Sequence, residues 1–184
     1  LSIDGTGDFS SMEISECNKN NINIFEKNLY PHSLGIMYQA ITQFIGFKKY
    51  GDEYKVMALA AYGEPKFIKE FEEIVKFEPP FNFKLNLEYF VHQKKFSFKE
   101  SFSDEPIFEN LYSKKMENLF GAARKYNEPL TKQHMDIATS LQYKFEDIIL
   151  KIVDNLYLEN RSENLCLSGG CMFNSVLNGK IKKK

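Results

Sequence analysis

Two glycine turns and one misplaced lysine carry most of the chemistry this chain can offer. Asp4-Gly5-Thr6-Gly7-Asp8 lies between apolar Leu1-Ser2-Ile3 and the alternating segment Phe9 to Cys17, so a strand, a tight turn and a strand are expected. The turn has two readings: hairpin punctuation, or a nest of backbone N–H groups that approaches a phosphate. Ser168-Gly169-Gly170 joins Asn164-Leu165-Cys166-Leu167, expected as a short buried strand, to a helix expected over Cys171 to Asn178. A Gly-Gly turn there lets backbone approach a phosphate or a planar ring, because no Cβ intervenes. Lys55 sits in a run that is otherwise small or apolar. Its ammonium must reach water or find a partner, and snorkelling is the commoner outcome.

The elements that must position these groups follow from periodicity. Between Ser33 and Phe47 the residues Leu34, Met37, Tyr38, Ile41, Phe44 and Ile45 recur every three or four positions, which predicts a half-buried helix. Ser33 is its expected N-cap and Gly46 its C-terminal glycine. Gly35, in the first turns of this helix, weakens it by about 1 kcal/mol relative to alanine; either a neighbour or a ligand packs against its bare backbone. Glu53 to Tyr62 predicts a short helix stopped by Gly63 and Pro65. Ile22 to Leu29 completes three antiparallel strands, and Lys66 to Lys76 reads as an amphipathic helix. The longest helix is expected over Lys132 to Leu158, capped by Thr131, with Ile137, Leu141, Phe145, Ile148, Ile149, Ile152 and Leu156 in one stripe. Asp136 and Gln142 are expected on its open face.

From Glu78 to Glu105 the pattern changes. Pro79-Pro80 breaks any helix, and Phe81 to Leu87 alternates strictly, with Tyr89, Phe90, Phe96, Phe98 and Phe102 following among lysines. Residues 77–127 read as an insertion of hairpins and a short helix. Interleaved Phe and Lys would also suit single-stranded nucleic acid, but a net charge of -1 gives no electrostatic reason for that partner or for an anionic membrane. With 184 residues, 43% of them hydrophobic, the chain can bury a core of its own. Its three cysteines, Cys17, Cys166 and Cys171, show no paired spacing, so a reducing cytoplasm is the expected compartment. Cys171 is expected to be an inert packing residue. No apolar run suits a membrane span or a signal peptide.

On these residues the chain resembles the O-carbamoyltransferases of the nodulation and antibiotic-biosynthesis type. PHSLGIMYQAITQFIGF followed by EYKVMALAAYGEP is similar to that family's P-x-S-L-G-x-x-Y-x-x-x-T-x-x-L-G-F and G-E-x-K-V-M-G-L-A-x-Y-G-x-P, departing at Ile45, Asp52 and Ala58. HMDIATSLQ resembles the family's D-I-A-x-S-x-Q, and the run around Ser168-Gly169-Gly170 and Asn174 resembles its adenosine-binding motif. The resemblance covers 1–63 and 131–181 well and 77–127 weakly. It implies an actin-like ATPase (ribonuclease-H-like) α/β fold, here partial with a β-rich insertion. It also implies a reaction in which carbamoyl phosphate and ATP give carbamoyl adenylate, whose carbamoyl group passes to a hydroxyl of a small-molecule or glycan acceptor. Residue by residue, it assigns Gly5, Thr6 and Gly7 to phosphate, Gly35, Gly169, Gly170 and Asn174 to the adenosine end, and Lys55 to neutralising charge. The divalent metal it implies would take its ligands outside this chain, since His32, His92 and His134 do not stand at the family's H-x-x-x-H spacing. The start at Leu1 inside an apolar strand and the stop at Lys184 are expected of a piece of a longer enzyme, inactive alone. Two other readings remain: a catalytically silent nucleotide-binding or interaction module, and an enzyme of the tRNA threonylcarbamoyl-transfer type.

Overall fold

The computed structural model describes the backbone of residues 1–94, 98–99, 107–160 and 164–184. The chain is a mixed α/β fold with small sheets, and it divides into two compact units. The first is drawn from Leu1–Ile36, Lys76–Leu85 and Phe145–Lys184, the second from Met37–Val75 and Asn86–Lys144. Strands β1 (Ser2–Ile3), β2 (Ser10–Asn18) and β3 (Asn21–Leu29) pair antiparallel in the order β1-β2-β3. The β2–β3 register slips between Ser10 and Met12 and again between Ile14 and Ser15. Between the slips Met12, Glu13 and Ile14 keep a continuous register, so Met12 and Ile14 share one face and are both fully buried.

Helix α1 (Leu34–Phe44) starts as expected: Ser33 Oγ accepts the Ile36 N–H at 3.1 Å. It ends in a Schellman motif, with Gly46 N–H on Gln43 O and Phe47 N–H on Thr42 O, and Gly46 takes φ +92°. Helix α2 (Glu53–Leu59) tightens into a 3-10 turn over Ala60–Tyr62 before Gly63. Helix α3 (Ile68–Ile74) is shorter than its amphipathic pattern predicts. At Val75 the backbone turns extended, and β4 (Val75–Glu78) pairs with β5 (Asn82–Leu85) across the proline pair. The β-branched Val75 and the alternation that follows favour the sheet over a last helical turn.

The stretch 77–127 falls in both units rather than in one. Beyond β5 come two short strands, β6 (Phe98–Lys99) and β7 (Ile107–Phe108), and helix α4 (Glu117–Phe120). The expected strand residues Phe96 and Phe102 lie outside the described residues. In the second unit Phe120 gathers Phe44, Phe67 and Phe71 at centroid distances of 5.8, 5.6 and 5.2 Å. Such edge-to-face and tilted contacts add to area burial.

Helix α5 (Lys132–Asn160) is the longest element, and its apolar stripe is buried from Ile137 to Ile152 and half-buried at Leu156. Thr131 does not cap it in the expected way. Its N–H donates to His134 Nδ1 at 3.0 Å and its hydroxyl lies 2.9 Å from the same atom, so the imidazole at the third position takes the part a glutamate plays in a capping box. Asp136 and Gln142 are not on an open face: they are 4% and 5% exposed. Asp136 Oδ1 accepts the Glu64 N–H at 2.8 Å, and Gln142 Oε1 accepts from the Tyr38 hydroxyl at 2.8 Å.

Two further expectations fail near the C-terminal end. Leu165 and Cys166 are exposed. Their segment runs beside β1, with Ile3 N–H on Ser168 O and Ser168 N–H on Leu1 O, as the outermost member of the sheet in this chain. No described element covers it, so it is an edge rather than a buried strand. The helix expected from Cys171 is broken: a 3-10 turn (Gly170–Phe173) precedes α6 (Ser175–Ile181), and Asn174 between them caps α6 by accepting the Leu177 N–H at 3.0 Å. An asparagine in extended conformation ends one element and starts the next.

Candidate functional site

The residues expected to touch ligand divide between the units. Gly5, Thr6, Gly7, Gly35, Gly169, Gly170 and Asn174 belong to the first, and Lys55 to the second. Within the first unit, the end of β1 is closed in from two sides by bare glycine backbone. A Cβ on Gly35 would stand 2.9 Å from Gly5 Cα and 3.1 Å from Asp4 O, and one on Gly169 would stand 2.2 Å from Ile3 O. Neither position has room for a side chain. The neighbour packed against Gly35 is therefore the Asp4-Gly5 backbone itself.

Asp4, which periodicity alone did not single out, is the centre of this arrangement. Its N–H donates to Ser11 O at 2.9 Å, its carbonyl accepts from the Ser33 hydroxyl at 3.1 Å, and its Oδ1 accepts the Gly5 N–H at 2.7 Å. The same Oδ1 stands 3.2 Å from where a Gly170 Cβ would be. The available signal was its place, the first polar residue after an apolar strand and the first of a D-G pair. Ser33 thus does two jobs, capping α1 and holding the turn.

Gly5 differs from the glycines around it. A Cβ built there meets nothing within 4 Å, so the space over the turn is open. Thr6 and Gly7 are exposed at the start of a 3-10 turn over Gly7–Phe9, where amide groups have no intrahelical acceptor. Gly7, Asp8 and Phe9 all take positive φ, at +47°, +50° and +75°; two non-glycine residues in succession there mark a strained tip. Phe9 is 77% exposed, and Phe173, beside the Gly-Gly turn, is 87% exposed. Asn174 Oδ1 is committed to the α6 cap. The arrangement offers exposed amides, the carboxylates of Asp4 and Asp8 and an open approach, which suits an anion that carries a cation with it.

Lys55 neither snorkels freely nor stands alone. Its ammonium pairs with Asp52 Oδ1 at 2.6 Å and lies 5.7 Å from the ring centroids of both Phe47 and Tyr54. The bond to Asp52 holds the ammonium's pKa above its usual value. Asp52 is buried, and its other oxygen accepts the Lys49 N–H at 3.2 Å. The residue that stands where the resembling motif has glycine therefore staples its own loop and orients the lysine.

Among the described residues no group of three or more His, Cys, Asp or Glu side chains is placed to hold a metal ion, and no helix is long and apolar enough to cross a membrane.

Comparison with known proteins agrees with the motifs. Over 186 residues the chain is 34% identical to an uncharacterized protein of Synechocystis sp., covering 100% of this chain and 28% of that protein. It is 30% identical over 184 residues to an uncharacterized protein of Methanocaldococcus jannaschii, covering 100% and 32%. It is also 28% identical over 182 residues to the nodulation protein NolNO of Sinorhizobium fredii, covering 98% and 23%. The chain thus spans about a third or less of the length of these relatives. The profile of the family described as carbamoyltransferase N-terminus matches residues 1–184, the whole chain, and the chain belongs to that family.

Proposed function

We propose that the turn at the end of β1 binds the phosphates of ATP, in a protein that transfers a carbamoyl group from carbamoyl phosphate, by way of carbamoyl adenylate, to a hydroxyl of a small-molecule or glycan acceptor. In the last step the acceptor hydroxyl gives up its proton to solvent as its oxygen bonds to the carbamoyl carbon, and the bond from that carbon to the phosphate oxygen breaks, releasing AMP. The observation that carries the reading is the contrast among the glycines: Gly35 and Gly169 are filled by protein backbone while Gly5 faces open space beside exposed amides. Gly5, Thr6 and Gly7 would hold phosphate, with the Gly169-Gly170 turn and Asn174 at the adenosine end. On this reading the three-stranded sheet with α1 is the start of an actin-like half domain, and the compartment is the cytoplasm.

Lys55 would neutralise charge on the leaving group, with Asp52 fixing its direction. A divalent metal, its ligands contributed from outside these residues, would relieve charge on the phosphates. The Asp4 carboxylate, held by the Gly5 N–H, would orient the turn that holds the phosphates.

The test is release of pyrophosphate from ATP by the full-length protein, with and without carbamoyl phosphate. The reading expects strict dependence on carbamoyl phosphate, and loss of activity in Gly5→Val with an unchanged melting temperature. Pyrophosphate release that ignores carbamoyl phosphate, or a fully active Gly5→Val, overturns it. Binding of nucleotide with no turnover at all would move the protein to the silent module.

A further inference from the structure

One histidine of the first unit is tied to the glycine turn through its backbone and free to move at its ring. His32 lies between the end of β3 and α1, half-buried, in the wall of an open recess. Its Nδ1 accepts the Leu85 N–H at 3.2 Å, so the neutral ring carries its proton on Nε2. A second proton on Nδ1 would set two donors face to face. The titratable groups around the ring are Glu78 on β4, Lys84 on β5, Lys27 on β3 and the Tyr30 phenol two residues before it. Lys27 is paired with Glu13 at 2.8 Å, Lys84 repels an imidazolium, and Glu78 attracts it. The ring therefore has two resting places: neutral on the Leu85 N–H, or cationic and turned toward the Glu78 carboxylate.

The backbone of the same residue leads to the turn. His32 O accepts the Ser11 hydroxyl, and Ser11 O accepts the Asp4 N–H at 2.9 Å. The next residue, Ser33, donates its hydroxyl to Asp4 O at 3.1 Å. The N–H and the C=O of Asp4 are thus both held by residues that bond or adjoin His32, and Asp4 Oδ1 in turn holds the Gly5 N–H at 2.7 Å. Ser11 is fully buried and supplies the discrete step. Its hydroxyl lies 3.1 Å from Asn28 O as well as against His32 O, but it has one proton to donate. With the His32 carbonyl in place that carbonyl takes the proton; once it shifts, Asn28 O takes it. Two alternative acceptors for one buried donor give the two discrete arrangements that coupling between sites needs.

We propose that protonation of His32 is relayed through Ser11 and Ser33 to Asp4, and that it loosens the Gly5-Thr6-Gly7 turn as pH falls. The relay belongs to the fold and stands apart from the function proposed above; only its effect on ATP rests on that reading. Burial first and Lys84 second hold the ring's pKa below its ordinary value, with Glu78 opposing them. The turn is therefore fully held above about pH 6.5 and released below it.

The test follows the turn directly by NMR, in the full-length protein with isotope-labelled glycine and histidine and without nucleotide. The Gly5 amide resonance, assigned by its loss in Gly5→Ala, is expected to move between about pH 7.5 and 5 with the same midpoint as the His32 ring. His32→Gln keeps a side-chain oxygen for the Leu85 N–H but cannot titrate, and should abolish the movement. Glu78→Gln removes the attracting charge and should lower both midpoints together, which keeps the test decisive should His32→Gln fold poorly. His134→Gln removes a titrating cap that has no path to the turn and should leave the Gly5 movement unchanged. The proposal is overturned by a His32 ring that does not titrate in that range, by a Gly5 resonance that stays still while the ring titrates, by a Gly5 titration that survives His32→Gln, or by midpoints that part in Glu78→Gln. Over the same range ATP affinity should fall about three- to tenfold more in the parent than in His32→Gln, the worth of one hydrogen bond. An equal fall in both, or no ATP binding at any pH, would count against the phosphate reading and leave the relay standing.

Discussion

Gly169→Ala is the sharpest perturbation of the β1 end. Gly169 has φ +90°, and a Cβ there would lie 2.2 Å from Ile3 O, 2.7 Å from Ile3 C and 3.0 Å from Ile3 N. Holding a non-glycine residue in that conformation costs about 1–3 kcal/mol. The overlap must be relieved by moving β1, whose Ile3 is fully buried, and overpacking of this sort costs about 1–3 kcal/mol more. The sum, about 2–6 kcal/mol, is a large part of a typical domain's stability. Gly5→Ala is the control: its Cβ meets nothing, so the change should stay within about 0.5 kcal/mol. The assay is urea unfolding followed by far-ultraviolet circular dichroism, because the chain has no tryptophan. With a slope of about 2 kcal/mol per molar, Gly169→Ala should lower the midpoint by about 1–3 M. A Gly169→Ala midpoint within 0.3 M of the parent, as a rough threshold on that slope, would refute the reasoning that this glycine is required by backbone contact.

Four other outcomes are expected. Arg124→Met should destabilise the second unit by about 2–4 kcal/mol, read as a lowered melting temperature, since the buried guanidinium bonds the carbonyls of Ile45, Lys125, Tyr126 and Glu128. His32 and His134 are both held below the usual histidine pKa, first by burial and then by Lys84 and Arg124 respectively. In each, Nδ1 accepts a backbone N–H that protonation would break. Their contribution is therefore complete above the unfolded value of about 6.5 and is lost as pH falls below it, so melting temperature should drop between pH 6.5 and 5 and drop less in His134→Gln. Burial would raise the Asp136 carboxyl, but the Glu64 N–H and the Lys132 and Lys66 ammoniums outweigh it and leave the pKa lowered; its stabilisation is present above about pH 4 and lost below it, and acid unfolding of Asp136→Asn should lose that step. Lys55→Arg keeps the Asp52 pair and should keep the melting temperature, whereas Lys55→Ala should cut carbamoyl-phosphate-dependent pyrophosphate release about a hundredfold; unchanged turnover would reduce Lys55 to a loop staple.

Periodicity made the large elements legible. The spacing of Leu34, Met37, Ile41 and Phe44 leaves no alternative to a helix, and the long stripe from Ile137 onward is equally plain. What periodicity hides is a polar face that is buried for a reason lying elsewhere in the chain. Asp136 and Ser140 sit one turn apart on α5, and read alone they look solvated. Their partners are the N–H groups of Glu64 and Phe67, in a stretch with no regular structure of its own. An irregular segment that packs against a helix must have its amides satisfied by that helix's side chains. The requirement was visible only as a coincidence, a helix stop at Gly63-Glu64-Pro65 and a D-x-x-x-S pair some seventy residues later.

The glycines show a different boundary. A glycine where a side chain would be expected signals that something comes close, and the sequence cannot tell protein from ligand. At Gly35 and Gly169 it is protein: the backbone of Asp4-Gly5 and Ile3 fills the space. Those two glycines therefore act on any ligand through the position of β1, and substituting them confounds folding with binding. Gly5 has no such neighbour, so a methyl group there costs the fold little and intrudes only on whatever occupies the turn. Asn174 repeats the lesson with a side chain, its Oδ1 spent on the first turn of α6, as its place just before Ser175 and three residues before Leu177 would require of a cap. Of the residues the motifs single out in the first unit, Gly5 is the one whose substitution separates the site from the scaffold.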